Sequence, residues 1–555
     1  MAKRNKRIIS YNCAPLFVFV CVFSLLIVIT VIYVTQYYYR YFTRPNPLPG
    51  PFPLPILGNA HQRIGFEHID WLMSLYKKYG DMYEINLAGE RVIILSRPDL
   101  IENMNVPSSK TKYPIRNLIT EGTMEYMKYG ASGSGISRNT DYKSWKYNRQ
   151  FVSQAMMTPN FNDKIITRTI ELWREMESYW NIIGENKELD LKKWMSRFTN
   201  EIIFEVSTGV KNNSVASYYS TLIPENYASL NKKEKEKIEE TEKFIQSLEI
   251  FDKGLIYFFM FNKLIRRYVP FIRGQINNFL KNRDYLFDKI YNIIKERRVE
   301  IESTPLDQPL RYDMLTSYLT ANTPRDINVT KHADIELLRP MTDGDVFDNI
   351  FDSLLGGGTM SNLICFVIYY LGTYPEVKQR LRQEIEMVLG KDLTKPITAK
   401  DLDELQYCDA VIKEVHRHHP ISFSIPRVNL EKDEVGGINW PEKTSFQMHY
   451  GAIMKNKNYW TDPEKFDPDR FYKVEESDKY LLEKQHIKDS FTIWGGGIRI
   501  CPGRKLAMIV LKCLVSLIYR KYDIEIADVN EPFKCRSGLL RVCKELIVKI
   551  KPRIY

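Results

Sequence analysis

The residues of this chain most able to do chemistry lie in a glycine-dense loop at positions 491–508, which contains one cysteine, Cys501. A sulfur that binds iron must be a thiolate, and backbone N–H groups or a helix N-terminus beside it favour that form. The glycines at 495–497 and Gly503 would let the backbone turn closely around the sulfur. Lone cysteines are usually inert core residues, but this combination predicts a thiolate metal ligand.

Four other segments carry short motifs that add to this signal. They are SWKYNR with Trp145 and Arg149, VIKEVHRHHP with Glu414 and Arg417, SFSIPR with Arg427, and FDPDRF with Arg470. Together with WGGGIRICPG at 494–503 they resemble, in order, the motifs of the cytochrome P-450 family of haem-thiolate monooxygenases. The family's cysteine loop is usually written FxxGxRxCxG, and Trp494 stands here in the phenylalanine position.

This resemblance implies a role for each matching residue. Cys501 would be the axial thiolate ligand of a haem iron. Glu414, Arg417 and Arg470 would form a buried structural triad, since the i, i+3 spacing of the first two puts them on one helix face. The haem propionates would be held by a further set of residues, namely Arg499, Trp145, Arg149 and Arg427.

The oxygen-activating helix of the family corresponds to residues 345–374, and here it departs from the family pattern (A/G)Gx(D/E)T. Counting back from Pro375 without gaps puts Thr359 on the threonine, which implies that it steers protons to the bound oxygen, but Gly358 occupies the position of the acid. A frame shifted by two would use Ser361 and also lacks the acid. Three glycines at 356–358 either end the helix or widen it locally to admit oxygen and water.

Asp352 is a candidate substitute for the missing acid. It lies seven residues before Thr359, so the two share a helix face about 10.5 Å apart along the axis, a distance that water could bridge. An aspartate at this position could equally face solvent or pair with a lysine. We therefore treat a proton-relay role for Asp352 as a hypothesis.

The N-terminal segment predicts a membrane anchor. Residues 14–34 contain no charge and are long enough, at about 1.5 Å per residue, to span a bilayer core. The span runs into tyrosines typical of an interface, so an uncleaved anchor fits better than a signal peptide. We expect three parts: an anchor with its flanks at 1–44, a proline-rich arm at 45–58, and a haem-binding catalytic domain at 59–555.

The rest of the chain predicts a mainly α fold with a small β region, the cytochrome P-450 fold preceded by one transmembrane helix. Residues 81–96 alternate apolar and polar positions around Ala88 and Gly89 and predict a hairpin. Long stretches beyond it have helical periodicity. The apolar run 254–271, which holds Arg266 and Arg267, is interpreted as core, with a second contact to the bilayer surface as the alternative.

Charge and cysteine content exclude several classes of protein. The chain has 79 Lys and Arg against 68 Asp and Glu, a net charge of +11, but no motif of a nucleic-acid-binding protein. Its 8 cysteines form no CxxC pair, which argues against a disulfide framework or a cysteine-rich zinc site. The basic excess at 501–555 is either a solvated surface or a docking surface for an acidic partner.

The expected function is insertion of one oxygen atom of O2 into a hydrophobic small molecule. No flavin-binding region follows the cysteine loop, so we expect electrons from a separate NADPH-cytochrome P-450 reductase docking near Arg504, Lys505 and Lys512. The missing acid keeps two rivals open: a haem-thiolate isomerase or dehydratase of oxygenated lipids, and a membrane-bound haem-binding protein without turnover.

The expected location is the endoplasmic reticulum membrane, with a single span in contact with membrane lipid and the catalytic domain in the cytosol. Four basic residues at positions 3–7 conflict with that orientation, because they precede the span and the positive-inside rule would then place the N-terminus in the cytosol. We favour a cytosolic catalytic domain because the reductase is there.

Overall fold

A computed structural model describes residues 14–553 except 64, 66, 88, 109, 117–120, 129–134, 157–158, 186, 329–337, 477 and 539. The basic residues at 3–7 and Ala88 fall outside the described residues. Most of the described chain is helical, with four small sheets at its periphery. This confirms the predicted fold class.

The helices are α1 (Ala14–Phe42), α2 (His68–Tyr79), α3 (Pro98–Ile101), α4 (Glu121–Met127), α5 (Tyr142–Met156), α6 (Pro159–Ile183), α7 (Leu191–Thr208), α8 (Ser214–Leu222), α9 (Pro224–Ser229), α10 (Lys232–Met260), α11 (Lys263–Tyr268), α12 (Pro270–Ser303), α13 (Met314–Thr320), α14 (Asp343–Thr373), α15 (Pro375–Leu389), α16 (Ala399–Glu404), α17 (Gln406–His418), α18 (Tyr450–Ile453), α19 (Asp469–Tyr472), α20 (Leu481–Ser490) and α21 (Arg504–Lys521). The strands are β1 (Met82–Leu87), β2 (Glu90–Leu95), β3 (Leu189–Asp190), β4 (Ile425–Val428), β5 (Asp433–Val435), β6 (Ile438–Trp440), β7 (Ser445–Met448), β8 (Tyr522–Ile526), β9 (Cys535–Ser537), β10 (Arg541–Cys543) and β11 (Ile547–Pro552).

Helix α1 is longer than the uncharged stretch that predicted it, because it continues through the tyrosines to Phe42. Its apolar side chains from Val18 onward are exposed, and residues 18–42 are long and apolar enough to cross a membrane. Helix α14 also meets that test but is buried for most of its length inside the protein. Helix α1 is the more apolar of the two, with a mean hydropathy of 2.8 against 1.5, and it alone of this pair has its apolar side chains exposed, as a candidate membrane span should.

The proline-rich segment after α1 packs along the first strand of the sheet. Pro49 accepts a hydrogen bond from the backbone N–H of Glu84 (3.0 Å), and the Asn46 side chain donates to the carbonyl oxygen of Asn439 (2.7 Å). A Cβ at Gly50 would lie 2.1 Å from the Glu84 carbonyl oxygen, so only glycine allows this approach. The segment is therefore attached to the globular body at several points.

The largest sheet has the order β1-β2-β7-β4. Strands β1 and β2 pair antiparallel with Met82 opposite Leu95, and Gly89 in the connecting turn has φ 88°, which confirms the predicted hairpin. Strand β7 then pairs parallel with β2 and antiparallel with β4. This arrangement carries Arg427, on β4, into the interior next to the cysteine loop.

Helix α14 runs unbroken through the three glycines, so the alternative that the helix ends there is wrong. Its N-terminus is closed by a capping box between Thr342 and Asp345. Gly357 packs on α7, where Thr199 Oγ1 donates to its carbonyl oxygen (2.9 Å) and a Cβ would lie 3.1 Å from Asn200 Oδ1. A Cβ at Gly356 or Gly358 would meet open space.

The predicted buried triad is present, and it has a fourth member. Arg417 donates to both carboxylate oxygens of Glu414 (2.8 and 2.9 Å), and Arg470 Nε donates to one of them (3.0 Å). Arg470 Nη1 also pairs with Glu483, a fully buried carboxylate on α20. The two arginines and two glutamates balance in charge, which explains how four ionised groups can be buried together.

The apolar run 254–271 is buried in its first half and exposed in its second. Leu255 and Phe258, near the end of α10, belong to the hydrophobic core. Tyr268 and Phe271, at the junction of α11 and α12, are 67% and 76% exposed. Core packing therefore accounts for the first half of the run and leaves an exposed apolar surface in the second.

Candidate active site

A cavity of about 430 Å³ lies beneath α14 and reaches Cys501. Its wall combines residues from α10, α14, the β7–β4 edge and the β9–β10 hairpin. Most lining residues are apolar, among them Leu255, Leu355, Ile421, Ile425 and Val542. Thr359 and Asp352, the two catalytic candidates, line the same cavity as Cys501, so the fold brings together residues up to 149 positions apart.

The cysteine loop is a compact turn that ends at the start of α21. The Cys501 backbone N–H donates to the Trp494 carbonyl oxygen (2.9 Å), and Gly495 and Gly497 have φ values of 74° and 64° that other residues adopt poorly. Burial raises the pKa of the Cys501 thiol, while the Gly503 N–H and nearby arginines oppose that rise. The amide and the helix N-terminus are therefore arranged to stabilise a thiolate.

Trp494 keeps the aromatic role of the phenylalanine that it replaces. Its ring packs edge-on against His416, with the ring centroids 5.5 Å apart. Both ring nitrogens of His416 are buried without a hydrogen-bond partner, and burial lowers its pKa to about 3. The neutral imidazole thus acts as an apolar packing surface behind the cysteine loop.

Four arginines lie together near Cys501; Arg427 and Arg499 are buried, and Arg116 and Arg149 are half-buried. Arg149, Arg427 and Arg499 were predicted from motifs, and the structure adds Arg116. Burial, together with the other guanidinium groups, lowers the pKa of Arg499 to about 8 and that of Arg427 to about 9. Burial also lowers the pKa of Arg149 to about 10. Four positive charges are thus held together in a poorly solvated place.

The cluster is fastened mainly through backbone carbonyl groups. Arg149 Nη2 donates to Ile500 O (2.7 Å), Arg116 Nη2 to Arg499 O (2.5 Å), and Arg427 Nη2 to Gly496 O (3.3 Å). These bonds tie three distant segments to the cysteine loop.

Arg499 and Trp145 form a separate unit at one side of this cluster. The Arg499 guanidinium lies 4.0 Å from the centre of the Trp145 ring. Three of its nitrogens donate to carbonyl oxygens, namely those of Pro114, Ile136 and Asn139. Trp145 Nε1 also donates to Ile136 O (3.2 Å). Both predicted residues therefore hold the loop that covers the arginine cluster.

The arginine cluster lacks its counter-charge. Throughout the described residues, no carboxylate lies within 4 Å of any of the four guanidinium groups, and Nε of both Arg116 and Arg427 is buried without a hydrogen-bond partner. Uncompensated buried cations are strongly unfavourable. Two carboxylate groups beside a thiolate would satisfy them, and the two propionates of a haem ligated by Cys501 have that chemistry, so the residues present fit haem.

The structure distinguishes the two possible frames of the oxygen-activating helix. Thr359 lines the cavity and donates its hydroxyl proton to Gly356 O (2.7 Å). Ser361 is buried on the other side, where it donates to Gly358 O (2.9 Å) and accepts from Lys192 Nζ (3.1 Å). The frame with Thr359 therefore puts a hydroxyl at the cavity.

Asp352 faces the cavity but is not free within it. Its carboxylate accepts from the backbone N–H groups of Ile136 (3.0 Å) and Ser137 (2.9 Å) and from the Ser137 hydroxyl. Arg138 Nη1 lies 3.8 Å away. Asp352 therefore neither faces solvent nor pairs with a lysine. Its carboxylate anchors the 135–138 turn to α14.

Comparison with known proteins places most of the chain in one family. A family model described as "Cytochrome P450" matches residues 48–550. "Cytochrome P450 3A17" of Cavia porcellus is 25% identical over 517 residues, 90% of each chain. "Probable cytochrome P450 4d20" of Drosophila melanogaster is 25% identical over 524 residues, 90% of this chain and 92% of its own length. "Cytochrome P450 3A7" of Homo sapiens is 25% identical over 514 residues, 90% of both.

Proposed function

Because this chain belongs to the cytochrome P450 family of haem-thiolate monooxygenases, we propose that it is a membrane-bound enzyme that inserts one oxygen atom of O2 into a hydrophobic small molecule. A separate NADPH-dependent reductase supplies the electrons. The observation that carries this proposal is the uncompensated arginine cluster beside Cys501, under a largely apolar cavity.

Each residue of the cluster has a distinct part in holding the cofactor. Cys501 would provide the thiolate ligand, and Arg116, Arg149 and Arg427 would pair with the propionates. Trp145 and Arg499 keep the covering loop in place through their bonds to Ile136. When bound, haem supplies the redox chemistry by which O2 is activated, and a thiolate ligand favours O–O cleavage.

Thr359 and Asp352 handle protons and water on the α14 side of the cavity. The Thr359 hydroxyl donates to Gly356 O and lines the cavity. Asp352, which also lines the cavity, would relay protons to Thr359 through water while it anchors residues 136 and 137.

The two parts of the Asp352 role can be separated by comparing two variants. Asp352→Asn removes the acid, and Ser137→Ala removes one loop contact but keeps the acid. We expect only the first to lower the amount of product formed per NADPH. Equal coupling in both variants would reduce Asp352 to a structural anchor.

The reductase would dock on the side of the molecule where α21 begins. Arg504 and Lys505 are exposed beside the cysteine loop. Arg504 is close enough to Cys501 for its positive charge to lower the pKa of the thiol. Lys512 is partly buried and interacts with Glu384, so it contributes less to such a surface than the sequence suggested. An acidic partner would be steered to this basic surface.

Two surfaces would bind membrane lipid. Helix α1 spans the bilayer, and the exposed apolar side chains at the α11–α12 junction lie on its surface; they are Leu264, Tyr268, Val269 and Phe271. We place the enzyme in the endoplasmic reticulum with its catalytic domain in the cytosol, where the reductase is found. Protease protection of sealed microsomes tests that orientation.

The decisive experiment is the absorption spectrum of the reduced protein with carbon monoxide. A strongly red-shifted Soret band is expected for the natural protein and should be lost in Cys501→Ser. Cys513→Ser, on a buried cysteine of α21, is the matched control and should keep it. NADPH consumption and oxygen-dependent product formation with added reductase then separate a monooxygenase from an isomerase or from a haem carrier.

A further inference from the structure

The wall of the cavity is not apolar throughout. Besides Arg116, which belongs to the cofactor cluster, and the exposed Glu90 of β2, it includes four charged side chains from four different elements. They are Arg138 in the 135–138 turn, Asp252 on α10, Asp352 on α14 and Arg536 on β9. Charged groups seldom face a binding site for purely apolar molecules, because they must give up hydration when such a ligand enters.

Two of these four groups already have partners. Asp352 accepts hydrogen bonds from the 136–137 backbone, and Arg138 lies beside it at 3.8 Å and donates to the Ser137 hydroxyl (3.4 Å). This pair holds the turn in place. It therefore has little capacity left to bind a ligand.

Asp252 and Arg536 have no such partners. Neither side chain makes a hydrogen bond or an ion pair within 4 Å to any residue the structure describes, although the two are close enough to interact electrostatically. Burial raises the pKa of Asp252 to about 6, and the nearby Arg138, Arg536 and Lys192 only partly oppose that rise while Glu249 adds to it. A carboxylate kept in this unfavourable state suggests a binding role.

The position of Arg536 strengthens that inference. Arg536, Ile256 and Gly538 line this cavity and also a second one of about 640 Å³, whose wall includes Tyr257 and Gln275. Arg536 therefore stands where the walls of the two cavities meet, and Asp252 lies close enough to interact with it.

The charges of Asp252 and Arg536 restrict the chemistry of the ligand. A cation attracted by Asp252 would be repelled by Arg536, and an anion attracted by Arg536 would be repelled by Asp252. A hydroxyl group suits both, because it donates one hydrogen bond to the carboxylate and accepts another from the guanidinium.

We propose that the substrate is an uncharged amphipathic alcohol, with its hydroxyl group between Asp252 and Arg536 and its apolar body toward Cys501 and Thr359. This proposal rests on the proposed function only in taking the cavity as the substrate site. The bound hydroxyl would give both charged groups a partner. The apolar body would meet Leu255, Leu355 and Ile425.

The test uses four rigid probes of nearly the same size and calorimetry on the full-length, haem-loaded protein. The probes are adamantan-1-ol, 1-methyladamantane, adamantane-1-carboxylate and trimethyl(adamantan-1-yl)ammonium. We expect the alcohol to bind about tenfold more tightly than each of the others, as one good polar contact provides. Tighter binding of either ion, or equal binding of the alcohol and the hydrocarbon, would overturn the proposal.

Variants assign the effect to the two side chains. In Asp252→Ala and in Arg536→Met, alcohol binding should fall to that of 1-methyladamantane, whose own affinity should change less than twofold. Glu236→Ala removes a charge from an exposed position near the start of the same helix and should leave all four affinities unchanged. Equal losses for alcohol and hydrocarbon would show a change of cavity shape and would contradict the proposal.

The outcome is independent of the cofactor proposal. Calorimetry reads binding to the cavity, whereas the carbon monoxide spectrum of the same samples reads the axial sulfur. A normal red-shifted band without preference for the alcohol refutes the substrate class alone. A preference for the alcohol without that band refutes the proposed function alone.

Discussion

Thr359 donates its hydroxyl proton to the carbonyl oxygen of Gly356, 2.7 Å away and one turn earlier in α14, where both residues face the cavity. The glycine leaves open space beside this bond, because a Cβ at position 356 would meet nothing within 4 Å. The hydroxyl is thus held in place without being covered. A group held in this way can pass a proton to a ligand in the cavity and recover its own bond afterwards.

Replacement of Thr359 by alanine should separate electron flow from product formation. The proton donor is lost while the cavity shape hardly changes, so we expect the ratio of hydrogen peroxide to product to rise by about a hundredfold, the lower end of proton-transfer effects. Thr359→Ser should restore most of the coupling. Ser361→Ala is the matched control, since its hydroxyl faces α7; an equal rise there would assign the effect to helix disturbance.

Arg116→Met should weaken haem retention. Arg116 is a member of the cluster with a buried nitrogen that lacks a partner, and its loss leaves a propionate without a counter-charge. We expect the haem-to-protein ratio after gel filtration to fall at least twofold. Arg266→Met removes a buried arginine that pairs with Glu125 away from the cavity, and it should keep its haem. Full retention in Arg116→Met would exclude Arg116 from the propionate site.

Glu483→Gln should destabilise the fold without altering the cofactor. It removes one carboxylate from the buried set of two arginines and two glutamates, and breaking such a set leaves an uncompensated charge, which costs about 3 to 5 kcal/mol. Urea unfolding followed by circular dichroism measures this loss. Asp489→Asn, at an exposed position on the same helix, should change stability by less than about 0.5 kcal/mol. A similar loss of unfolding free energy in both variants would show that Glu483 does not belong to the buried set of charges.

Asp252→Asn should stabilise the protein at neutral pH and not at low pH. The pKa of Asp252 is raised from 3.8 to about 6, chiefly by burial, so the natural protein loses stability as the pH rises from about 4 through 6. The asparagine side chain does not ionise, so the variant does not lose stability over this pH range. We expect it to be more stable by about 1 to 3 kcal/mol at pH 7.5 and indistinguishable near pH 3.5. A pH-independent difference would show that packing and not charge is responsible.

Phe271 should be shielded by lipid in the membrane-bound enzyme. In the full-length protein in liposomes, Phe271→Cys should react with a membrane-impermeant maleimide at least fivefold more slowly than in detergent. Leu306→Cys is the control, because Leu306 is 87% exposed and lies beyond the end of α12. Equal labelling of the two cysteines in liposomes would mean that only α1 contacts the bilayer.

The sequence alone predicted every feature that depends on neighbouring positions. The anchor follows from an uncharged stretch long enough to cross a bilayer, the hairpin follows from alternation around Gly89, and the i, i+3 spacing puts Glu414 beside Arg417. The motif around Cys501 predicted the thiolate. Such patterns are readable because they reflect bond geometry and local hydrogen bonding, which act over a few residues.

The partners of buried charges could not be predicted in this way. Arg116 and Glu483 belong to no local motif, and they became recognisable when folding brought them to Arg499 and Arg470. Asp252 and Arg536 lie 284 positions apart, and their charges matter because both face one cavity in which no described residue pairs with either of them. Charge balance in a poorly solvated interior depends on distances through space, and packing sets those distances without leaving a pattern along the chain.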